Sequence, residues 1–166
     1  MNKPKFEDII QGLLDGDMLK NALDFYDFLK SHKMTPCLMG FRIYGSWTVK
    51  YKGEKVVYFR VSKGSWFIGF FGGYKKAEFG LLEKYENYLS DEGLKEFILT
   101  HISAKPLCAS PSCKGDGIVK NKVILGKKFN TICACFPLYL RNPNVEALEY
   151  AKKIVLTNRN IVDDMV

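Results

Sequence analysis

The chain holds only two histidines, and no stretch of it approaches the roughly 18 consecutive apolar residues that a membrane-spanning helix needs. The first fourteen residues, MNKPKFEDIIQGLL, do not form a secretory core, because Glu7, Asp8 and Gln11 interrupt their apolar run. No carboxy-terminal lipidation signal is visible. A cytoplasmic location without membrane attachment is therefore expected, and thiols stay reduced there. The five cysteines fit that setting, since an odd count argues against a disulfide framework. Internal repeats and low-complexity tracts are also lacking.

Enzyme signatures are missing too. There is no G-x-S-x-G, no H-E-x-x-H, no phosphate-binding P-loop and no G-x-G-x-x-G. The glycines near residues 69–73 follow a candidate strand, but they lack the Lys and Ser/Thr that a phosphate loop requires. RNP-type, helix-turn-helix and zinc-finger patterns are equally absent. These absences leave an enzyme without support.

What is present is globular in character. The 166 residues suit a single domain spanning 1–166, and 47% hydrophobic content with 14% aromatics can fill a sizeable core. Residues 6–14 and 17–32 read as helices, with Leu19, Ala22, Leu23, Tyr26 and Leu29 on one face and Asp17 as N-cap. Residues 37–44 are a candidate strand, and Cys37 on it reads as a buried apolar residue. From Ser46 the period changes to two. Residues 46–52, 56–62 and 65–71 alternate around turns at Lys52-Gly53 and Lys63-Gly64, an antiparallel meander.

Residues 76–89 and 90–102 read as helices, the second capped by Ser90. Residues 103–117 form a Pro/Ser/Gly/Cys-rich loop, and short strands lie within 119–125 and 133–140. A last helix starts with Asn142 as N-cap and Pro143 at its first position, and residues 158–166 fray. The fold class is α+β, an antiparallel β-meander packed by helices.

The formal net charge of +7 is unevenly spread. Residues 37–76 carry eight Lys/Arg against one acid, and residues 103–142 carry seven against one. Residues 77–102 carry two against six. Such segregation attracts anions better than a scattered charge of the same size. Strand parity places Trp47, Val49, Tyr51, Val57, Phe59, Val61, Trp66, Ile68 and Phe70 on the helix-covered face. It leaves Lys50, Lys52, Tyr58, Arg60 and Phe67 on the other. Basic and aromatic side chains together suit an anionic or aromatic ligand, either a small molecule or a nucleic acid. A solvated sheet face with scattered aromatics has the same pattern.

The cysteines offer a second chemistry. Cys108-x4-Cys113 lies in the loop, and Cys133-x-Cys135 follows after nineteen residues. Residues two apart in an extended segment share a face, so Cys133 and Cys135 can point together. Four thiolates in a tetrahedron would bind a structural Zn²⁺ and close the subregion 103–142. The same thiols read equally as reduced and partly buried, or as a redox pair activated by nearby lysines. His101 is an alternative metal ligand or a helix-end cap, while His32 reads as a solvated helix end.

Leu23 to Leu29 (LDFYDFL), Gly45 to Gly53 (GSWTVKYKG), Val56 to Val61 (VVYFRV) and Ser65 to Phe71 (SWFIGFF) together resemble small bacterial proteins of the YdhG-like superfamily. The resemblance covers about residues 19–102 and implies a helix, a lysine-rich meander and further helices in an α+β fold. Some relatives are described as iron-chaperone or frataxin-like proteins, a role that uses an acidic surface, whereas the meander here is basic. The segment GKKF at 126–129, with Cys133 and Asn142-Pro143, is similar to the C-terminal part of clostridial-type sequences of unknown function.

Overall fold

The computed structural model describes residues 5–39, 45–70, 80–103, 118–133 and 136–166. In chain order these form α1 (Phe6–Gln11), α2 (Gly16–Ser31), β1 (Thr35–Leu38), β2 (Ser46–Tyr51), β3 (Glu54–Ser62) and β4 (Ser65–Phe70). A 3₁₀ helix (Gly80–Asn87) and α3 (Glu92–His101) follow, then β5 (Ile118–Ile124), β6 (Lys127–Cys133), β7 (Leu138–Arg141) and α4 (Val145–Met165). The architecture is α+β, as expected. Among the described residues no helix is long and apolar enough to cross a membrane. The chain divides into two compact units, Met1–Ile68 with Leu140–Lys152, and Gly69–Tyr139 with Lys153–Val166.

One sheet has the strand order β1-β2-β3-β4-β7, of which β1, β2, β3 and most of β4 fall in the first unit. Two-residue turns join β2 to β3 and β3 to β4, a connection that only antiparallel neighbours can make. Lys52 and Gly53 hold φ of 48° and 90°, so the first turn has the left-handed pair that suits a twisted hairpin. Parity works as expected on the helix side: Trp47, Val49, Val57, Phe59, Val61, Trp66 and Ile68 are each at most 3% exposed. Phe6 of α1 stands edge-on to Trp47 and Phe59, at 4.8 and 5.2 Å between ring centroids. Phe25 of α2 meets Phe59 and Trp66, both at 6.3 Å. Aromatic pairs at these separations add to the burial of their area.

Gly45 is needed where it stands. Its φ is +76°, and a Cβ there would run into the Val61 carbonyl, whose own N–H donates to Gly45 O at 2.6 Å.

The second unit holds the 3₁₀ helix, α3, the β5–β6 hairpin and the end of α4. Leu82 and Tyr85 lie three apart, the repeat of a 3₁₀ turn, and both are buried. The Tyr85 hydroxyl donates to Asn158 Oδ1 at 2.6 Å, and burial raises its pKa far above the ordinary phenol value. Asp91 caps α3 by accepting the Leu94 N–H at 3.0 Å. The hydrogen bond from Lys153, also 3.0 Å, holds the Asp91 carboxyl below the usual carboxylate range.

Several expectations are corrected. The first helix ends at Gln11, and the face of α2 centres on Ala22, Phe25 and Leu29, with Tyr26 only half-buried. Asp15 takes the N-cap position of α2, so Asp17 lies in its first turn. Cys37 is exposed on β1, the outermost strand in the order β1-β2-β3-β4-β7. Asp91 caps α3 in place of Ser90. A short strand does lie within 133–140, as β7, whereas β6 at Lys127–Cys133 had no counterpart among the expected strands. Helix α4 continues to Met165 instead of fraying, with Ile161 and Val162 fully buried.

Candidate functional site

Strand β2 pairs with β3 in the register Ser46↔Arg60, Thr48↔Tyr58 and Val49↔Val57, then slips so that Lys50 faces Lys55 and Tyr51 faces Glu54. Over that step β2 advances by one residue and β3 by two, so Val56 is the extra residue of a bulge. The slip has an electrostatic consequence: it sets two lysines directly opposite each other at the tip of a hairpin. Like charges in that relation repel, and an anion between them relieves the repulsion. Lys52, one residue into the turn, lies with its ammonium 5.8 Å from the centre of the Tyr51 ring. Lys50, Lys52 and Lys55 are all exposed.

The five residues expected on the basic–aromatic face do not form one cluster. Lys50 and Lys52 share the tip with Lys55. Arg60 stands opposite Ser46 at the other end of β3, about 16 Å from Lys55 by strand rise. Tyr58 and Phe67 meet at 5.7 Å between ring centroids. Tyr58 is only 9% exposed and Phe67 is half-buried, so neither offers a whole open ring. Between them and the tip, Thr48 and Val56 are 3% and 1% exposed. Nothing in the alternation of residue types signals the bulge, so Lys55 could not be found from it.

Of the four cysteines read as zinc ligands, Cys108, Cys113 and Cys135 lie outside the described residues. Cys133 is fully buried at the end of β6. It is bonded on two sides: it pairs with Ile118 across the hairpin, and its N–H donates to Ser103 O at 3.0 Å. Ser103 and Ile118 flank the segment that carries Cys108 and Cys113, and each of those cysteines is five residues from its nearer anchor. Among the described residues no group of three or more His, Cys, Asp or Glu could hold a metal ion. His101 closes α3, with Nδ1 2.8 Å from Phe97 O and its ring stacked on Phe97.

A shallow cavity of about 310 Å³ opens between the first turn of α2 and the lead-in to α4. Asp17, Lys20, Asn21 and Asn144 are among its lining residues, and none of the five expected ligand residues lines it. Lys50, Lys52 and Lys55 stand exposed at the hairpin tip instead. No family model, curated protein or solved structure matches the chain.

Proposed function

We propose that this chain is a non-enzymatic, cytoplasmic binding module that takes a polyanion, nucleic acid first, on the lysine tip of the β2–β3 hairpin. The observation that carries the reading is the Lys50–Lys55 opposition, with Lys52 in the turn between them. Strand rise separates Lys50 and Lys52 by about 7 Å, so a row of phosphates can engage them in succession. The part given to Tyr58 and Phe67 shrinks to positioning, since their rings have little open area. The likeness of residues 19–102 to YdhG-like proteins belongs to the same reading and adds no ligand of its own.

Binding to mixed-sequence DNA and RNA oligonucleotides, titrated against salt, tests this. Each phosphate contact contributes about 0.9 to the slope of log affinity against log salt on duplex DNA. The triple variant Lys50→Gln/Lys52→Gln/Lys55→Gln is expected to lower that slope by about 2.7. Undetectable binding at low salt, or a slope unchanged in the variant, overturns the reading. Binding of inorganic triphosphate alone would reassign the tip to a small anion.

The anchoring of Ser103 and Ile118 on Cys133 favours a second reading, a structural zinc held by Cys108, Cys113, Cys133 and Cys135. Protein purified without chelator is then expected to carry about one zinc per chain by metal analysis. A content near zero sinks this reading.

A further inference from the structure

The β5–β6 hairpin carries Lys120, Lys122, Lys127 and Lys128 and no acidic residue between positions 118 and 133. Its two faces differ. On one, Ile124 and Cys133 are buried and Lys122 is bound to Glu83 of the 3₁₀ helix at 2.6 Å. On the other, Val123 pairs with Lys128 near the turn, and both stand exposed, Val123 by 59%, while Ile132 at the far end of that face is fully buried. Asn121 and Asn130 lie between the Lys120↔Thr131 and Lys122↔Phe129 pairs, and both are exposed.

Asn121 also has a left-handed backbone in mid-strand, with φ of 56°. Asparagine tolerates that conformation better than most residues, but a strand gains nothing from it. Strain at an exposed amide inside an all-basic ribbon points to use of that amide.

We infer that the β5–β6 hairpin is a ribbon that seats in the major groove of duplex DNA. The inference rests on the nucleic-acid reading above and assigns it a second contacting element. A two-stranded ribbon fits the width of that groove. Asn121 and Asn130 present carboxamides, which pair with the N6–H and N7 of adenine. Val123 offers methyl contact to thymine, and Lys128 beside it reaches a flanking phosphate, whereas Lys120 and Lys127 lie on the face of Lys122. The open face thus combines exposed amides, an apolar contact and a cation.

Fluorescence anisotropy with the full chain tests this on three probes: a mixed 20-base-pair duplex, its single strand, and the duplex with 7-deaza-adenine. The wild-type chain is expected to prefer the duplex and to lose roughly tenfold in affinity when the adenine N7 is removed. Asn121→Gly keeps the left-handed backbone, so Asn121→Gly/Asn130→Ala should abolish the 7-deaza effect with an unchanged salt slope. Lys128→Gln should lower the slope by about 0.9. Circular dichroism of each variant checks that it is folded. Equal binding of single strand and duplex, or no 7-deaza effect in the wild-type chain, overturns the inference. If these hairpin variants match wild type while the Lys50/Lys52/Lys55 variant weakens, the inference fails and the lysine-tip reading stands. Wild-type protein that binds none of the probes overturns both.

Discussion

Phe25→Ala is expected to lower the free energy of unfolding by about 3–5 kcal/mol, the range for truncating a fully buried phenylalanine. Phe25 has no exposed surface, and its ring meets Phe59 and Trp66 at 6.3 Å and Phe28 at 6.4 Å. The backbone around it is a helix packed on a hydrogen-bonded sheet, so the cavity left by the ring cannot readily collapse. Both tryptophans of the chain lie in this unit, and Trp66 touches Phe25. Their fluorescence therefore reports directly on the unit in which the cavity is made. Urea titration should show a lower midpoint with an unchanged slope. Tyr26→Ala is the control, because Tyr26 is half-buried, and it should cost clearly less. A loss under about 2 kcal/mol for Phe25→Ala would mean that the site relaxes around the gap, against the packing described.

The same residue shows where sequence reading reaches its limit. Helical period places Leu19, Ala22, Leu23, Tyr26 and Leu29 on one arc, and a rotation of one position moves the centre to Phe25. Composition cannot choose between Phe25 and Tyr26, since both are aromatic; the ring that reaches Phe59 and Trp66 is selected by the sheet beneath. The meander was readable because period two is a strong local signal and Lys52-Gly53 and Lys63-Gly64 punctuate it. Its helix-facing set followed from parity except at Tyr51, which is only half-buried past the bulge.

The other face was misjudged as an open surface because burial there is tertiary information: Ser46 and Thr48 are polar by type, yet 0% and 3% exposed. Lys55 entered the candidate site through a bulge, a one-residue slip with no compositional mark. The basic character of the β5–β6 segment was countable in advance. Its exposed amides depend on a hairpin register that the Gly126 turn sets.

Asn142 is the second position where a large effect is expected, and it reverses a sequence expectation. Asn-Pro before an apolar helical repeat reads as a cap followed by a first-turn proline. In the structure Asn144 performs the capping, accepting the Ala147 N–H on Oδ1 at 2.8 Å. Asn142 instead clips the sheet: its N–H donates to Trp66 O at 2.8 Å, and its Oδ1 accepts the Trp66 N–H at 2.8 Å. Ser65 Oγ donates to the same oxygen at 3.3 Å. The backbone that allows this is left-handed, with φ of 43°.

Asn142→Ala removes the acceptor for a part-buried N–H, worth about 1–3 kcal/mol, and replaces asparagine by a residue that tolerates the left-handed region less well. A total loss of roughly 2–4 kcal/mol follows. Asn144→Ala should cost only about 1 kcal/mol, the usual value of a cap. Asn142→Gly separates the two contributions, because glycine adopts positive φ freely while still lacking the acceptor. It should fall between the other two variants in a thermal or urea series. If Asn142→Ala costs no more than Asn144→Ala, the clip contributes nothing beyond a cap, and the hold of Asn142 on β4 has been overrated.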